Sequence, residues 1–577
     1  MKKIFKYSLG LLLLILMLSC EDKIDPITEV DPGPDAGAPT VTIEKPVDGF
    51  SIQVPDLIAS TTIKFRAEDD IEIESVSVKL DGQEIASYDE FLDFRIFNEE
   101  FIYDNITTGD HILEVSATDL AGNVTTSVSN FSKEPPYTPL FPGETFYMNF
   151  DGSYNELVSV TSATEFGSPN FASEGRVGSG AYAGASDSYL TFPTDGLLAN
   201  EFSASFWLKV NAAPDRAGVL VIGPPDESNP DAQNNRTSGF RFFRENAGGM
   251  QRFKLNIGTG SGEAWFDGGA AADVDPNVDE WVHFAFTISE TEAVVYKNGV
   301  VVSQNAFSGI DWTGCDILSI MSGAPRFTGW GHNADESYMD ELRIFNMALS
   351  QDEVIELIAQ ADEIFKLDFN GSYTESYSDQ DCTEVGNPGF TSDAFEGTSA
   401  YEGAADSYLT FPTDQLLSNE FSAVFNYKVD AAPDRAGILV IGPPDVNNPD
   451  AQNNRNSGFR FFRENAGGMQ RFKLNVGTGS GEAWFDGGSA ADLDPANPQW
   501  VQMAFTISGT ECVVYINGQI VSQNTFSGVD WTGCDILSIM SGAPRFTGWG
   551  HLSDESAMDD LRIFKKALSQ AEIQSML

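Results

Sequence analysis

Gly239–Phe266 reads GFRFFRENAGGMQRFKLNIGTGSGEAWF, and Gly458–Phe485 reads GFRFFRENAGGMQRFKLNVGTGSGEAWF. The copies stand 219 residues apart (458 − 239), and the same offset carries Phe150 to Phe369, Trp281 to Trp500 and Trp330 to Trp549 without a gap. The chain is therefore a tandem duplication. Within the stretch, side chains alternate with period two. Phe253, Leu255 and Ile257 share one face of an extended segment and should enter a core, which leaves Arg252, Lys254 and Asn256 on the other face. By the same rule Arg241 and Phe243 point one way, and Phe242 and Arg244 the other. Period-two runs separated by Gly-rich turns predict strands throughout.

Outside this stretch the bounds agree. A chain of 577 residues is too long for one core and should hold three or four domains. Acidic residues number 86 against 33 basic, a net charge of −53, which repels phosphate backbones and argues against nucleic acid as a partner. Such a surface suits an acidic, salt-tolerant exterior or a calcium-rich one.

Lys2, Lys3 and Lys6 precede an apolar run, Leu9–Leu18, that is too short to span a bilayer, and Ser19-Cys20 follows at once. Residues 1–20 resemble a bacterial lipoprotein signal peptide, which implies lipidation of Cys20. Glu21-Asp22 resembles the signal that sends Bacteroidetes lipoproteins to the cell surface, so the expected location is the outer membrane, lipid-anchored and facing outward. Residues 21–39 are acidic and rich in Pro and Gly, a flexible tether. Residues 40–132 carry short alternating runs such as Ser75-Val-Ser-Val-Lys-Leu80, and predict a small β-sandwich. The phrases AEDDIEIESVSVKLDG and SATDLAGNV there resemble bacterial Ig-like modules, which act as spacers. Asp69, Asp70 and Asp119 read as turn residues. Residues 133–143 hold Pro135, Pro136, Pro139 and Pro142, a stiff linker.

The repeats occupy 144–360 and 361–577. Each opens on an apolar strand and turn, FYMNFDGSY or IFKLDFNGSY, and closes with MDELRIF or MDDLRIF. A short helix follows, announced by the capping boxes Ser350…Glu353 and Ser569…Glu572. These marks, with the central WVHFAFT and VVYKNG pair, resemble the laminin-G or concanavalin A-like lectin/glucanase superfamily. The expected fold is thus all-β: an N-terminal Ig-like β-sandwich followed by two tandem concanavalin A-like jelly rolls. The series of signal, spacer and binding modules also resembles SusE/SusF-like surface glycan-binding proteins of Bacteroidetes. That arrangement implies a polysaccharide ligand, with a TonB-dependent transporter and a SusD-like protein as partners.

The two copies have drifted unevenly. Ala232–Trp265 matches Ala451–Trp484 at 32 of 34 positions and Ser303–His332 matches Ser522–His551 at 28 of 30, yet Phe150–Ser186 matches Phe369–Ala405 at only 17 of 37. Gene conversion would explain this, as would a core. Packing alone tolerates Ile/Val/Leu exchange, however, and does not fix polar loops such as NPDAQNNR or GAPRFTGWGH. We therefore expect a binding site at Arg241, Arg244, Arg252, Lys254, Asn256, Trp265, Arg326, Trp330 and His332. Its second copy comprises Arg460, Arg463, Arg471, Lys473, Asn475, Trp484, Arg545, Trp549 and His551. Aromatic faces stack on the apolar side of sugar rings, amides and guanidinium forks bond vicinal hydroxyls, and arginine pairs bidentately with carboxylate or sulfate. Arg241 and Arg244 could instead pair internally with acids such as Glu245 or Glu263, and the tryptophans could be core. The arginine content favours an anionic polymer.

No alternating E-x-D-x-x-E strand, alginate-lyase motif or ligand-spaced His/Cys cluster is present, so the expected protein is a binder and not an enzyme. A lyase or hydrolase of the same fold, or a surface adhesin, are the competing readings. By the family resemblance a structural calcium in each jelly roll would join Asp151 to Asp340 and Asn370 to Asp559. Cys315 and Cys534 read as buried thiols. Cys382 and Cys512, present in the second copy alone where the first has Ala163 and Ala293, are expected to form a disulfide.

Overall fold

The structure, a computed structural model, describes residues 37–377, 380–413 and 415–577. Cys20, the signal segment and most of the tether lie outside the described residues. No helix among the described residues is long and apolar enough to cross a membrane. The chain divides between Thr138 and Pro139 into two compact units, a division that falls inside the Pro-rich linker.

The first unit is a two-sheet sandwich. Strands Thr40–Lys45, Ala59–Glu68 and Ile96–Ile106 form one sheet, and a five-stranded sheet centred on Gly109–Asp119 forms the other. Alternation decides the core: Ile63, Phe65 and Ala67 from one sheet meet Val76, Val78, Leu113 and Val115 from the other, all buried.

In the second unit each repeat is a jelly roll of two eight-stranded sheets. The opening strand Glu144–Met148 pairs antiparallel with the closing strand Tyr338–Phe345 (Leu342 opposite Met148, Arg343 opposite Tyr147), so the two ends of the repeat motif are neighbours. Phe253, Leu255 and Ile257 enter the core as expected. There they meet Phe240 and Phe242 of their own sheet and Phe206, Phe284 and Phe286 of the facing one. The second repeat copies this with Phe459, Phe461, Phe472, Leu474 and Val476.

The helix Gln351–Gln360 is closed by the Ser350/Glu353 capping box, and Gln570–Ser575 by Ser569/Glu572. The first of these joins the repeats. Val354 and Leu357 pack on the first repeat with Phe141 and Phe345, Ile358 packs with Trp207, and Ala359 packs among Val424, Ala504 and Tyr515 of the second. Arg176–Asp362 (2.9 Å) and Arg562–Glu356 (3.3 Å) bridge the same junction.

The cysteines require one correction. Cys315 and Cys534 are buried free thiols as expected, but Cys382 and Cys512 are also free in the structure, not bonded to each other. Cys512 fills a fully buried place in the second core and Cys382 packs against the same core. Each fills apolar space as a small hydrophobe, and that is sufficient reason for Ala→Cys drift.

Candidate functional site

The outward face of the sheet built from Arg216–Ile222, Phe240–Ala247, Met250–Gly258 and Glu263–Asp267 carries the site. Register places Arg241, Asn256 and Trp265 in one row across three strands, and Phe243, Lys254 and Asp267 in the next. This face is only partly open to water. The segment Ser322–Asp335 is laid over it, closed on itself by the bridge Ser322/Ala334 and held to the sheet by Ala217/Asn333. Phe327 packs on Phe243 (centroids 5.3 Å), and the His332 ring lies flat against Phe327 at 4.7 Å and 14°. Trp330 ends up at the rim, its ring near-parallel to that of Trp265 (6.0 Å, 16°), with the two residues 36% and 38% exposed. Trp484 and Trp549 repeat the pair at 5.8 Å and 13°.

The two stretches that drifted least meet at this rim. Thr328 and Gly329 both donate their backbone N–H to the Gln233 carbonyl at 2.9 Å. A Cβ on Gly329 would stand 2.8 Å from the Ala232 carbonyl oxygen and 2.9 Å from the Asn234 Cβ, so only glycine lets the loops cross this closely. Beside the crossing lies a cleft of about 510 Å³ whose walls include Asp226, Asn229, Asn234, Asn235, Arg236 and Glu263. Arg236 donates from Nε to Glu263 at 2.6 Å and from Nη2 at 3.3 Å, and its Cζ sits 4.2 Å from the Trp330 ring centre. The second repeat keeps the pair as Arg455–Glu482 (2.6 Å) with Arg455 over Trp549 (4.2 Å).

Several expected binding residues are structural instead. Arg241, Arg244, Asn256 and His332, with Arg460, Arg463, Asn475 and His551, are fully buried. The reasons differ: Arg241 and Asn256 lie on the outward face, which the loop covers, His332 lies within that loop and packs inward, and Arg244, on the inward side, is closed over at the sheet end. Arg244 forks onto Asp335 at 2.7 and 2.8 Å and donates also to the Pro214 and Ala213 carbonyls; Arg463 does the same with Asp554. Arg241 has no carboxylate. It donates from Nη2 to the Asn235 carbonyl, holding the cleft wall from beneath, and burial pushes its guanidinium down to about 10. Burial likewise pushes His332 and His551 down to about 4, against the pull of Glu245 and Glu464, so both rings are neutral.

The remaining expected cations are partly exposed, and every one is paired. Arg252 forks onto Asp273, Lys254 meets Glu245 (3.1 Å) and Asp267 (3.2 Å), and Arg326 forks onto Asp316; Arg471, Lys473 and Arg545 make the equivalent pairs with Asp492, Glu464 and Asp535. Of the predicted set, the four tryptophans are what the structure places at the surface. Sequence reasoning passed over Arg236 and Arg455, although both lie inside the polar loop that resisted drift, and over Asp226, which lines the same cleft.

Asp151 and Asp340 sit on the loop 175–180, with oxygens that accept backbone N–H groups: Ser179 and Gly180 bond Asp151, and Arg176 and Val177 bond Asp340. In the second repeat Asn370 accepts from Thr398 and Ser399, and Asp559 from Phe395 and Glu396. An amide oxygen thus does at 370 what a carboxylate does at 151. Burial, reinforced by Glu341, pushes Asp340 up to about 8. No group of three or more His, Cys, Asp or Glu that could hold a metal ion occurs among the described residues.

Two stretches, residues 184–355 and 402–574, match the family described as the concanavalin A-like lectin/glucanases superfamily, and residues 39–115 match a bacterial Ig domain. The chain belongs to that superfamily, as two tandem laminin-G-type domains behind an Ig domain. No curated protein matches it. Among solved structures it is similar to domain 4 of a GH43 extracellular arabinanase from Geobacillus stearothermophilus in complex with arabinotriose (19% identity, 37% of this chain and 97% of that one, TM-score 0.30). It is also similar to domains LG4-5 of the mouse laminin α1 chain (12%, 76% and 95%, TM-score 0.22). A third is the CBM40 of a Ruminococcus gnavus sialidase bound to α2,3-sialyllactose (14%, 30% and 96%, TM-score 0.24).

Proposed function

We propose that the protein is a non-catalytic glycan-binding protein with one site per jelly roll. The observation that carries this is the duplicated rim: two near-parallel, part-exposed tryptophans beside a polar cleft, kept in both copies while residues 150–186 and their counterparts drifted. Aromatic rings supply a face for sugar C–H groups, and the amides and the Arg236/Glu263 pair supply donors and acceptors for hydroxyls. The non-catalytic part rests on the acids. A general acid needs a carboxyl raised toward neutral pH; here the Arg236 hydrogen bond holds Glu263 below its ordinary value, against burial, and although burial pushes Glu245 up, Lys254 with His332 and Arg216 holds it below its ordinary value too. Incubation with a polysaccharide panel tests it: retarded migration in polymer-loaded gels without new reducing ends or unsaturated products is expected, and released product would identify a lyase or hydrolase.

The lipid anchor at Cys20, the outward-facing outer-membrane location and a transporter with a SusD-like partner extend this reading to polysaccharide capture at the cell surface. A calcium ion at Asp151/Asp340 and Asn370/Asp559 belongs to the same proposal, supported by the buried carboxylates of Asp340 and Asp559 beside the oxygens of Asp151 and Asn370. Its expected outcome is a melting temperature raised by calcium and lowered by EDTA; an unchanged melting temperature would remove calcium from the account.

A further inference from the structure

The charge at the cleft can be counted directly. The walls of the cleft carry Arg236 against Asp226 and Glu263, one against two, a formal balance of −1. The buried Arg241 beneath brings the balance to zero and not above it. Arg236 is tied to Glu263, and on the sheet beside the cleft Arg252 and Lys254 are likewise tied to carboxylates, while the exposed Arg216 donates to the Trp330 carbonyl at 2.9 Å. Burial pushes Asp267 up, but the Gly269 N–H and Lys254 outweigh it and hold this carboxyl, like those of Glu245 and Glu263, below its ordinary value. All three are therefore ionised at neutral pH, and an incoming uronate or sulfate seated in the cleft would have to displace Glu263 from Arg236, the cation of its walls.

The unused groups at the cleft point the same way. Asn234 lines it with a buried Oδ1 that has no donor, and Asn453 repeats this in the second copy. An acceptor is matched by a hydroxyl, which brings a proton, and not by a carboxylate or sulfate, which brings none at neutral pH. The two free N–H groups of Arg241 are the opposing feature, but Arg241 is closed off beneath the Asn235 backbone and is not a wall of the cleft.

We propose that the duplicated cleft recognises an uncharged, hydroxyl-bearing glycan, and not the anionic polymer that arginine content alone favours. The inference rests on the glycan-binding reading. Affinity electrophoresis of the full chain against neutral polymers (arabinan, galactan, mixed-linkage glucan) and anionic ones (alginate, pectate, sulfated galactan), at low and high NaCl, separates the two. The expected result is retardation by a neutral polymer that changes less than about twofold between the two salt levels, since no counterions are released and no charge is screened. Retardation by anionic polymers alone, lost at high salt, would overturn the charge inference and leave the glycan reading standing. No retardation by any polymer would overturn both. A second variant guards the conclusion: Glu263→Gln with Glu482→Gln frees Arg236 and Arg455, and should add a salt-sensitive retardation by anionic polymer that wild type lacks. If that gain is absent while the pair-free guanidinium remains folded, carboxylate pairing is not what excludes anions.

Discussion

At the scale of single residues, Arg244 and His332 show why polar side chains in a nearly unvaried stretch need not touch ligand. Arg244 is an arginine on a strand, and nothing near it in sequence announces Asp335, 91 residues away, which takes its guanidinium in a two-pronged pair with no exposure. Removing one partner of such a pair strands a buried charge, a large cost, and this alone is reason for constancy between copies. His332 is held neutral among Phe243 and Phe327, with Nε2 3.3 Å from Glu245. Its folded value near 4 lies below the ordinary 6.5. Between these pH values the unfolded chain binds the proton and the folded chain does not, so stability is fully present above about 6.5 and is lost as pH falls toward 4. The histidines lower urea midpoints over this window, and His332→Phe with His551→Phe should remove that share of the slope, leaving the part due to His283, also buried and pushed down to about 3, and the opposing part of Asp340, whose raised carboxyl gains stability as pH falls. A slope unchanged in the double variant would contradict the assignment.

At the scale of elements, strand alternation was legible and what covers a strand was not. Period two correctly divided Phe253, Leu255 and Ile257 from Arg252, Lys254 and Asn256, because each side-chain direction is set by its own strand. Whether the outward set is wet depends on Ser322–Asp335, brought in from some seventy residues downstream by Ile317–Ile320 joining the same sheet. No local pattern encodes that. What did encode the site was the match of two polar loops across copies, since the NPDAQNNR and GAPRFTGWGH loops hold each other at Gly329 and Gln233. Gly329→Ala with Gly548→Ala should push these loops apart, at a stability cost of about 1–3 kcal/mol typical of overpacking. Glycan affinity should fall about tenfold or more, measured by affinity electrophoresis beside urea unfolding. Unchanged affinity would mean that the loop crossing is scaffold only.

At the scale of the whole chain, the order of modules was readable because duplication, proline content and capping boxes are all local in sequence. The junction between the jelly rolls was not, since it depends on one helix giving Val354 and Leu357 to the first repeat and Ala359 to the second. With both repeats in one compact unit, the proposed function puts two like sites on one body, and such linkage would raise avidity for a repeating polymer without any new contact. The central claim is that the tryptophan rim binds. It is tested most directly by comparing, in polymer-loaded gels, wild type, Trp265→Ala, Trp484→Ala and the double variant, each with circular dichroism and melting temperature recorded. The account predicts strong retardation of wild type, intermediate retardation of each single variant, and migration of the folded double variant as if polymer were absent; a folded double variant retarded as strongly as wild type would contradict it.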